Sequence, residues 1–265
     1  MVKQSNYYQW LMHSRSERGK RDMKLQNQIK EIHQISRGLY GYRRVTAELR
    51  SGGEVISPKK VFKLMKENNI YGKYKRRFKV TTKAAKNAII APNLLDQTFN
   101  VNLPNAVWVS DISYIWTGGL YLAIVLDLYA RKIVGWSLSG RMTKQLVIDA
   151  FLKAYWHRKP GKGLIHHSDR GSQYTSNQFQ TILSNLNVMS SMSDKGNCYD
   201  NAVAESFFHT LKNELPNNCI FKTRNEAKSM IFEYIEIFYN NKRRHSYLGY
   251  CSLNQFELIS NIKVA

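Results

Sequence analysis

The block Ala106–Ser139, AVWVSDISYIWTGGLYLAIVLDLYARKIVGWSLS, constrains the fold more than any other stretch of the chain. It is rich in Val, Ile, Tyr and Trp. Two breaks, Gly118-Gly119 and the tetrad Tyr129–Lys132, cut it into three runs. Such runs, parted by short turn signals, predict three strands joined as hairpins. An aspartate, Asp111, stands inside the first of them. A charge in the middle of an apolar strand is costly unless it is paired or bound to a metal.

Downstream the periodicity alternates. Thr143–Trp156 has a helical pattern, Gly163–His167 is a short strand, Asn177–Asn187 is helical and Val188–Met192 is again a strand. Asp200–Asn213 and Arg224–Asn240 are predicted helices. Three hairpin-linked strands followed by alternating helix and strand imply an α/β fold, a mixed sheet with helices packed on it.

Upstream the texture is helical and basic. Lys24–Ser36 and Arg43–Arg50 are predicted helices, the second ended by Gly52-Gly53. Ser57-Pro58 opens a third, with a serine cap and proline in the first turn. Val61, Leu64 and Met65 form its apolar face, and Lys59, Lys63 and Lys66 fall on another face. That basic face suits a helix-turn-helix-like DNA contact; a solvated lysine face on a packing helix is the competing reading. Next, Lys73, Lys75, Arg76, Arg77 and Lys79 interleave with Tyr71, Tyr74 and Phe78, a pattern able to lie along phosphates.

Charge points the same way. The 265 residues carry 40 Lys+Arg against 19 Asp+Glu, a net +21. Residues 1–100 hold +15 of it and residues 101–265 hold +6. A polyanionic partner, nucleic acid above all, follows from such an excess. Cys198, Cys219 and Cys251 form no C-x-x-C pair, which argues against a cysteine zinc site and fits a reduced, cytoplasmic protein. The N-terminus lacks a signal-peptide pattern. The apolar stretch around Leu120–Leu128, broken by Asp127, is too short to span a bilayer. No membrane partner is expected.

Three carboxylates stand out by context: Asp111 within the first strand, Asp169 at the end of the fourth in HHSDRGSQYTS, and Glu205 in DNAVAESFFHTLKNEL. On a helical wheel Val203, Phe207 and Leu211 make the core face, while Glu205, His209 and Lys212 lie roughly opposite. Phosphoryl-transfer enzymes need such a trio, because hard divalent ions take oxygen ligands and two of them clamp the attacking and leaving oxygens. Gly171 is expected to turn the backbone away and leave the site open. Asp200 is expected as a helix N-cap, Asn197 and Asp200 as shapers of the preceding loop, and Asp127 as structural. Of His166 and His167, one is expected to pack and the other to line the site, without a zinc-ligand set. The cluster Lys242, Arg243, Arg244, His245 and Tyr247 is either a DNA-backbone contact or a solvated basic turn.

The trio is spaced by 58 and 36 positions, so 35 residues separate Asp169 from Glu205. This resembles the DDE signature of retroviral integrases and bacterial insertion-sequence transposases. The words VWVSDISYI, HHSDRGSQYTS, SMSDKGNCYDNAVAESFFHTLKNEL and YIEIFYNNKRRHSYLGYCSLNQFE resemble the integrase-core transposases encoded by the second reading frame of two-frame insertion sequences. YGYRRVTAELR and SPKKVFKLMKENNI resemble the helix-turn-helix-like segment ahead of that core. The likeness runs from about Leu25 to Glu257.

That resemblance implies an RNase H-like core preceded by a small helical domain. Residues 1–95 would be the basic DNA-binding region with its linker, 96–215 the catalytic core and 216–265 a C-terminal helical extension. It implies a DNA transposase in which water cleaves a phosphodiester at the element end and the freed 3′-OH attacks target DNA. Asp111, Asp169 and Glu205 would bind Mg2+, with Mn2+ as substitute and two ions in all. Lys212 would lie near the DNA end. Arg43, Arg44, Lys59, Lys63, Lys75, Arg76, Arg77, Arg243 and Arg244 are the further DNA-contact candidates. Expected partners are double-stranded DNA, further copies of the chain on that DNA, and the upstream-frame protein or its fusion, in the bacterial cytoplasm at the nucleoid. Leu253 stands where the family often has proline. No room remains after Glu205 for the C-terminal barrel of retroviral integrases, and no N-terminal zinc module or upstream-frame segment is evident. Two other readings are a DNA-binding regulator or degenerate transposase without catalysis, and an RNase H-like nuclease that hydrolyses without joining.

Overall fold

The computed structural model describes residues 16–72, 90–115, 119–194, 198–215, 221 and 223–264. The chain divides into two compact units, Met1–Lys75 and Arg76–Ala265.

In the first unit three helices share one core. Helix α1 spans Glu17–Ile35, α2 Tyr42–Ser51 and α3 Pro58–Glu67. The Ser57 hydroxyl accepts from the Lys60 N–H at 3.2 Å and Pro58 occupies the first turn, so α3 starts as its sequence predicts. Leu25 and Ile29 of α1, Val45 and Leu49 of α2, and Val61, Leu64 and Met65 of α3 are buried together. Gly72 matters by close approach: a Cβ there would meet the Gly41 backbone nitrogen at 2.7 Å.

The second unit is built on a five-stranded sheet. Strands β1 (Val107–Ile115), β2 (Leu120–Asp127) and β3 (Lys132–Ser139) form an antiparallel meander. Helix α4 (Lys144–Arg158) then leads to β4 (Ile165–Ser168), which lies parallel to β1. Helix α5 (Asn177–Asn185) leads to β5 (Met189–Met192), parallel to β4. The order β3-β2-β1-β4-β5 is that of an RNase H-like sheet. Trp108, Phe151, Phe179, Leu146 and Leu183 pack in its main core. Phe151 is the hub, with edge-on contacts to Trp108, His166 and Phe179 at 6.1, 5.3 and 5.7 Å. Helix α4 presses so closely on β3 that a Cβ at Gly135 would meet the Ala150 carbonyl at 2.4 Å.

A 3₁₀ turn at Cys198–Asn201 leads into α6 (Ala202–Glu214). Ala204, Phe207, Phe208 and Leu211 are its buried positions, so the core stripe is centred one position later than the wheel predicts and Val203 is only half-buried. Helix α7 covers Arg224–Phe232, shorter than the predicted Arg224–Asn240. It continues as a wider π-helical turn, Glu233–Tyr239. That turn delivers Asn240, whose amide accepts from the Ile133 N–H at 3.2 Å and donates to the Ile133 carbonyl at 3.0 Å. At Ile133 the edge strand β3 is thereby hydrogen-bonded by a side chain in place of a neighbouring strand. Helix α8 (Leu253–Val264) begins with Leu253, which is fully buried. Glu257 of α8 pairs with Lys132 at 2.9 Å and with Arg158 at 2.7 Å.

Candidate active site

Register brings the first two carboxylates together. In the parallel pair, Val109 of β1 is partnered with His167 of β4. Asp111 is two residues beyond Val109, and Asp169 is two beyond His167. Period-two alternation places both at one level and on one face, Asp111 in the middle of β1 and Asp169 just past the end of β4. Glu205 enters from the first turn of α6, the helix set against β1. The helix start is tethered there by Asn201, whose Nδ2 donates to the Ser110 carbonyl at 3.2 Å.

Electrostatics record the convergence. The Asp111 carboxyl is pushed up to about 8, by burial first, then by the charge of Asp169 and by that of Glu205. The residue as a whole is half-buried. A hydrogen bond from the Ile112 N–H at 2.7 Å and the Lys212 ammonium oppose the rise. Burial raises Asp169, and the Gly171 N–H, 2.9 Å from its Oδ1, pulls it back. Glu205 is raised by burial as well. Partial desolvation lowers Lys212, and Asp111 draws it up again. Among the described residues, no three His, Cys, Asp or Glu side chains stand close enough to hold a metal ion as they are. The donor types suit a hard divalent cation: carboxylate oxygens only, like charges that act on one another, and an Asp111 carboxyl raised first by burial.

The ends of β4 and β5 are braced around this corner. Arg170 donates to the Ser193 carbonyl at 2.6 Å and to Asp194 at 3.1 Å. Asp200 is buried, accepting from Asn93 Nδ2 at 3.0 Å and from the Asp194 N–H at 2.8 Å. It is therefore an internal tie rather than the predicted N-cap; Asn201 holds the cap position, without a side-chain capping bond. Both histidines are buried, which corrects the expectation that one would line the site. His166 is bonded to Ser110 Oγ at 2.8 Å, and His167 lies between Ser191 and Ser193 Oγ at 2.8 and 3.2 Å. Burial lowers them to about 3 and about 4. Asp127 is fully buried, accepting from the Asn105 and Tyr129 N–H groups and facing Arg158 at 3.4 Å. Asn93, Arg170 and Asn201 carry no signal in a single sequence, because each is defined by a distant partner.

Besides Lys212, the DNA-contact candidates fall into four groups. Arg43, Lys59 and Lys63 are exposed, Lys63 beside Glu67 at 3.7 Å. Arg44 lies over the Tyr40 ring, and Arg244 donates to the Tyr250 carbonyl. Arg243 is buried and paired with Glu214, its Nε and Nη2 both bonding the carboxylate, so its charge faces protein and not a phosphate. Lys75, Arg76 and Arg77 lie outside the described residues, as does Asn197, the expected shaper of the loop before α6. Among the described residues no helix is long and apolar enough to cross a membrane.

Sheet, flanking helices and carboxylate corner define an integrase-core protein with a helix-turn-helix-like unit. A family model described as "Integrase core domain" matches residues 101–198, another so described matches 205–260, and one described as "HTH-like domain" matches 20–78. The transposase for insertion sequence element IS904 of Lactococcus lactis is 47% identical over 236 residues, 88% of this chain and 93% of that protein. A 31 kDa protein of insertion element IS600 from Shigella sonnei is 46% identical over 250 residues, 94% of this chain and 92% of that one. Transposase InsF of IS3A from Escherichia coli is 43% identical over 224 residues, 84% and 78% of the two chains. This chain belongs to the insertion-sequence transposases with an integrase core. Among solved structures, the HTLV-2 integrase catalytic core in complex with magnesium is similar with a TM-score of 0.44 and 19% identity, covering 58% of this chain and 97% of that one.

Proposed function

We propose that this protein transposes DNA by metal-dependent cleavage of a phosphodiester at the element end, followed by attack of the freed 3′-OH on target DNA. The observation that supports the reading is that Asp169 and Glu205 both lie within electrostatic reach of Asp111, whose carboxyl is pushed up to about 8 by burial first and then by those two charges. Crowded, desolvated carboxylates destabilise a fold unless a cation neutralises them.

Asp111, Asp169 and Glu205 are the residues that would hold Mg2+, or Mn2+ in its place, as two ions. Bound divalent ions would activate the attacking oxygen and stabilise the leaving one. The middle of β1, the end of β4 and the first turn of α6 would hold the three carboxylates on rigid supports. Lys212, seven positions after Glu205 on the same side of α6, would meet the backbone of the DNA end. The exposed face of α3 and Arg43 would hold the duplex through phosphates, which position the DNA without specifying its sequence. Double-stranded DNA is the substrate, further copies of the chain and the upstream-frame protein are partners, and the nucleoid is the place of action.

The test uses linear DNA carrying the termini of the encoding element, with Mg2+. Glu205→Gln should abolish both cleavage and joining, a larger loss than the roughly 10–100-fold that removal of an outer partner of a metal site costs. DNA affinity and melting temperature should stay near wild type. Activity retained by that variant removes Glu205 from the site. Hydrolysis without joining by the wild type makes the protein a nuclease.

A further inference from the structure

Tyr174 lies five residues after Asp169, on the segment between β4 and α5. Its N–H donates to the Gly171 carbonyl at 3.0 Å, and its own carbonyl accepts from Gln180 Nε2 at 2.8 Å. The ring packs against Phe179 at 5.8 Å and His166 at 6.1 Å, and the residue is 2% exposed. Packing alone would be met as well by phenylalanine. The hydroxyl oxygen is buried and meets no hydrogen-bond partner among the described residues. An unmet buried hydroxyl destabilises a fold, so its presence asks for a partner.

The neighbours say which. The hydroxyl is near enough to Asp111 and Asp169 that both, after burial itself, push the phenol well above its ordinary range. Buried and unpartnered, on the segment that follows Asp169, it stays available as a donor. Ring and backbone are fixed at four points, so the donor is held in place before anything binds.

We propose that Tyr174 is a positioning residue of the active site, whose hydroxyl donates a hydrogen bond to the oxygen shell, carboxylate or water, of a divalent cation held by Asp111 and Asp169. The inference rests on the cation-binding reading given under the proposed function. Outer partners of this kind fix the orientation of the ligands they touch, and their loss weakens metal binding 10–100-fold.

Manganese titration of the full chain tests it, with Tyr174→Phe and Asp169→Asn beside wild type, reading bound Mn2+ by paramagnetic resonance and melting temperature with and without the ion. The expected result is that Tyr174→Phe melts without metal as high as wild type or higher, binds Mn2+ about 10–100-fold more weakly, and gains less in melting temperature from the ion. Unchanged Mn2+ affinity in Tyr174→Phe overturns the inference and leaves the cation reading standing. A Tyr174→Phe chain that melts well below wild type without metal also overturns it, since the hydroxyl then serves the core. If wild type binds Mn2+ no better than Asp169→Asn, the cation reading itself fails and takes the inference with it.

Discussion

The backbone N–H of Gly171 donates to Asp169 Oδ1 at 2.9 Å, and a Cβ built on Gly171 would stand 2.9 Å from that same oxygen. Gly171 is not among the glycines with positive φ. Its role is close approach to a carboxylate rather than the sharp turn its sequence context suggests.

Gly171→Ala should therefore move the Asp169 carboxylate while sparing the fold. Catalysis and Mn2+ affinity should each fall by about 10–100-fold, with a far-ultraviolet spectrum like that of wild type. Full activity would mean that the carboxylate can shift without consequence.

Arg243 and Glu214 have side chains only 6% and 10% exposed, and Tyr234 donates to the same carboxylate at 2.8 Å. Removing one partner strands a buried charge, so Arg243→Ala or Glu214→Ala should cost about 3–5 kcal/mol in denaturant unfolding. The salt dependence of DNA binding should not change in Arg243→Ala chains that remain folded. A shallower salt slope would restore Arg243 as a phosphate contact.

His166 and His167 have folded-state values of about 3 and about 4, below the ordinary 6.5. As pH falls through 6.5 the unfolded chain takes up protons that the folded chain refuses. Stability from these two groups is thus full above pH 6.5 and drains away toward pH 4. Asp127, raised by burial to about 6, works the other way between pH 6 and 3.8. His166→Asn should flatten the acid limb by about 1–3 kcal/mol in urea unfolding followed from pH 7 to pH 4. An identical slope in the variant would show that His166 takes up its proton alike in both states.

Lys59 and Lys63 are exposed on α3. Each phosphate contact contributes about 0.9 to the slope of log affinity against log salt, so Lys59→Ala should lower that slope by about 1. Lys63→Ala should act more weakly, because Glu67 lies 3.7 Å from its ammonium. Unchanged slopes in both variants would favour a merely solvated lysine face.

What was legible in the sequence is what depends on near neighbours. The strands either side of Tyr129–Lys132, the serine-capped start of α3 and its Val61, Leu64 and Met65 face follow from periodicity and turn chemistry, and the structure has them there. Asp111 could be singled out because a lone charge in an apolar strand is anomalous wherever that strand packs. The pairing of Asn240 with Ile133, by contrast, joins residues 107 positions apart and leaves no local trace.

By itself the sequence determined the helical unit, the strand-rich block, the basic excess and the three carboxylates worth watching. It took the closed fold to show that Arg243 faces Glu214 and not DNA, that Asp200 is an internal tie, that both histidines are buried, and that the Tyr174 hydroxyl is buried without a hydrogen-bond partner among the described residues. The reason is physical. Helix and strand preferences arise within a few residues of chain, whereas the environment of a charge or hydroxyl is set by groups that meet only when the sheet and its helices close around it.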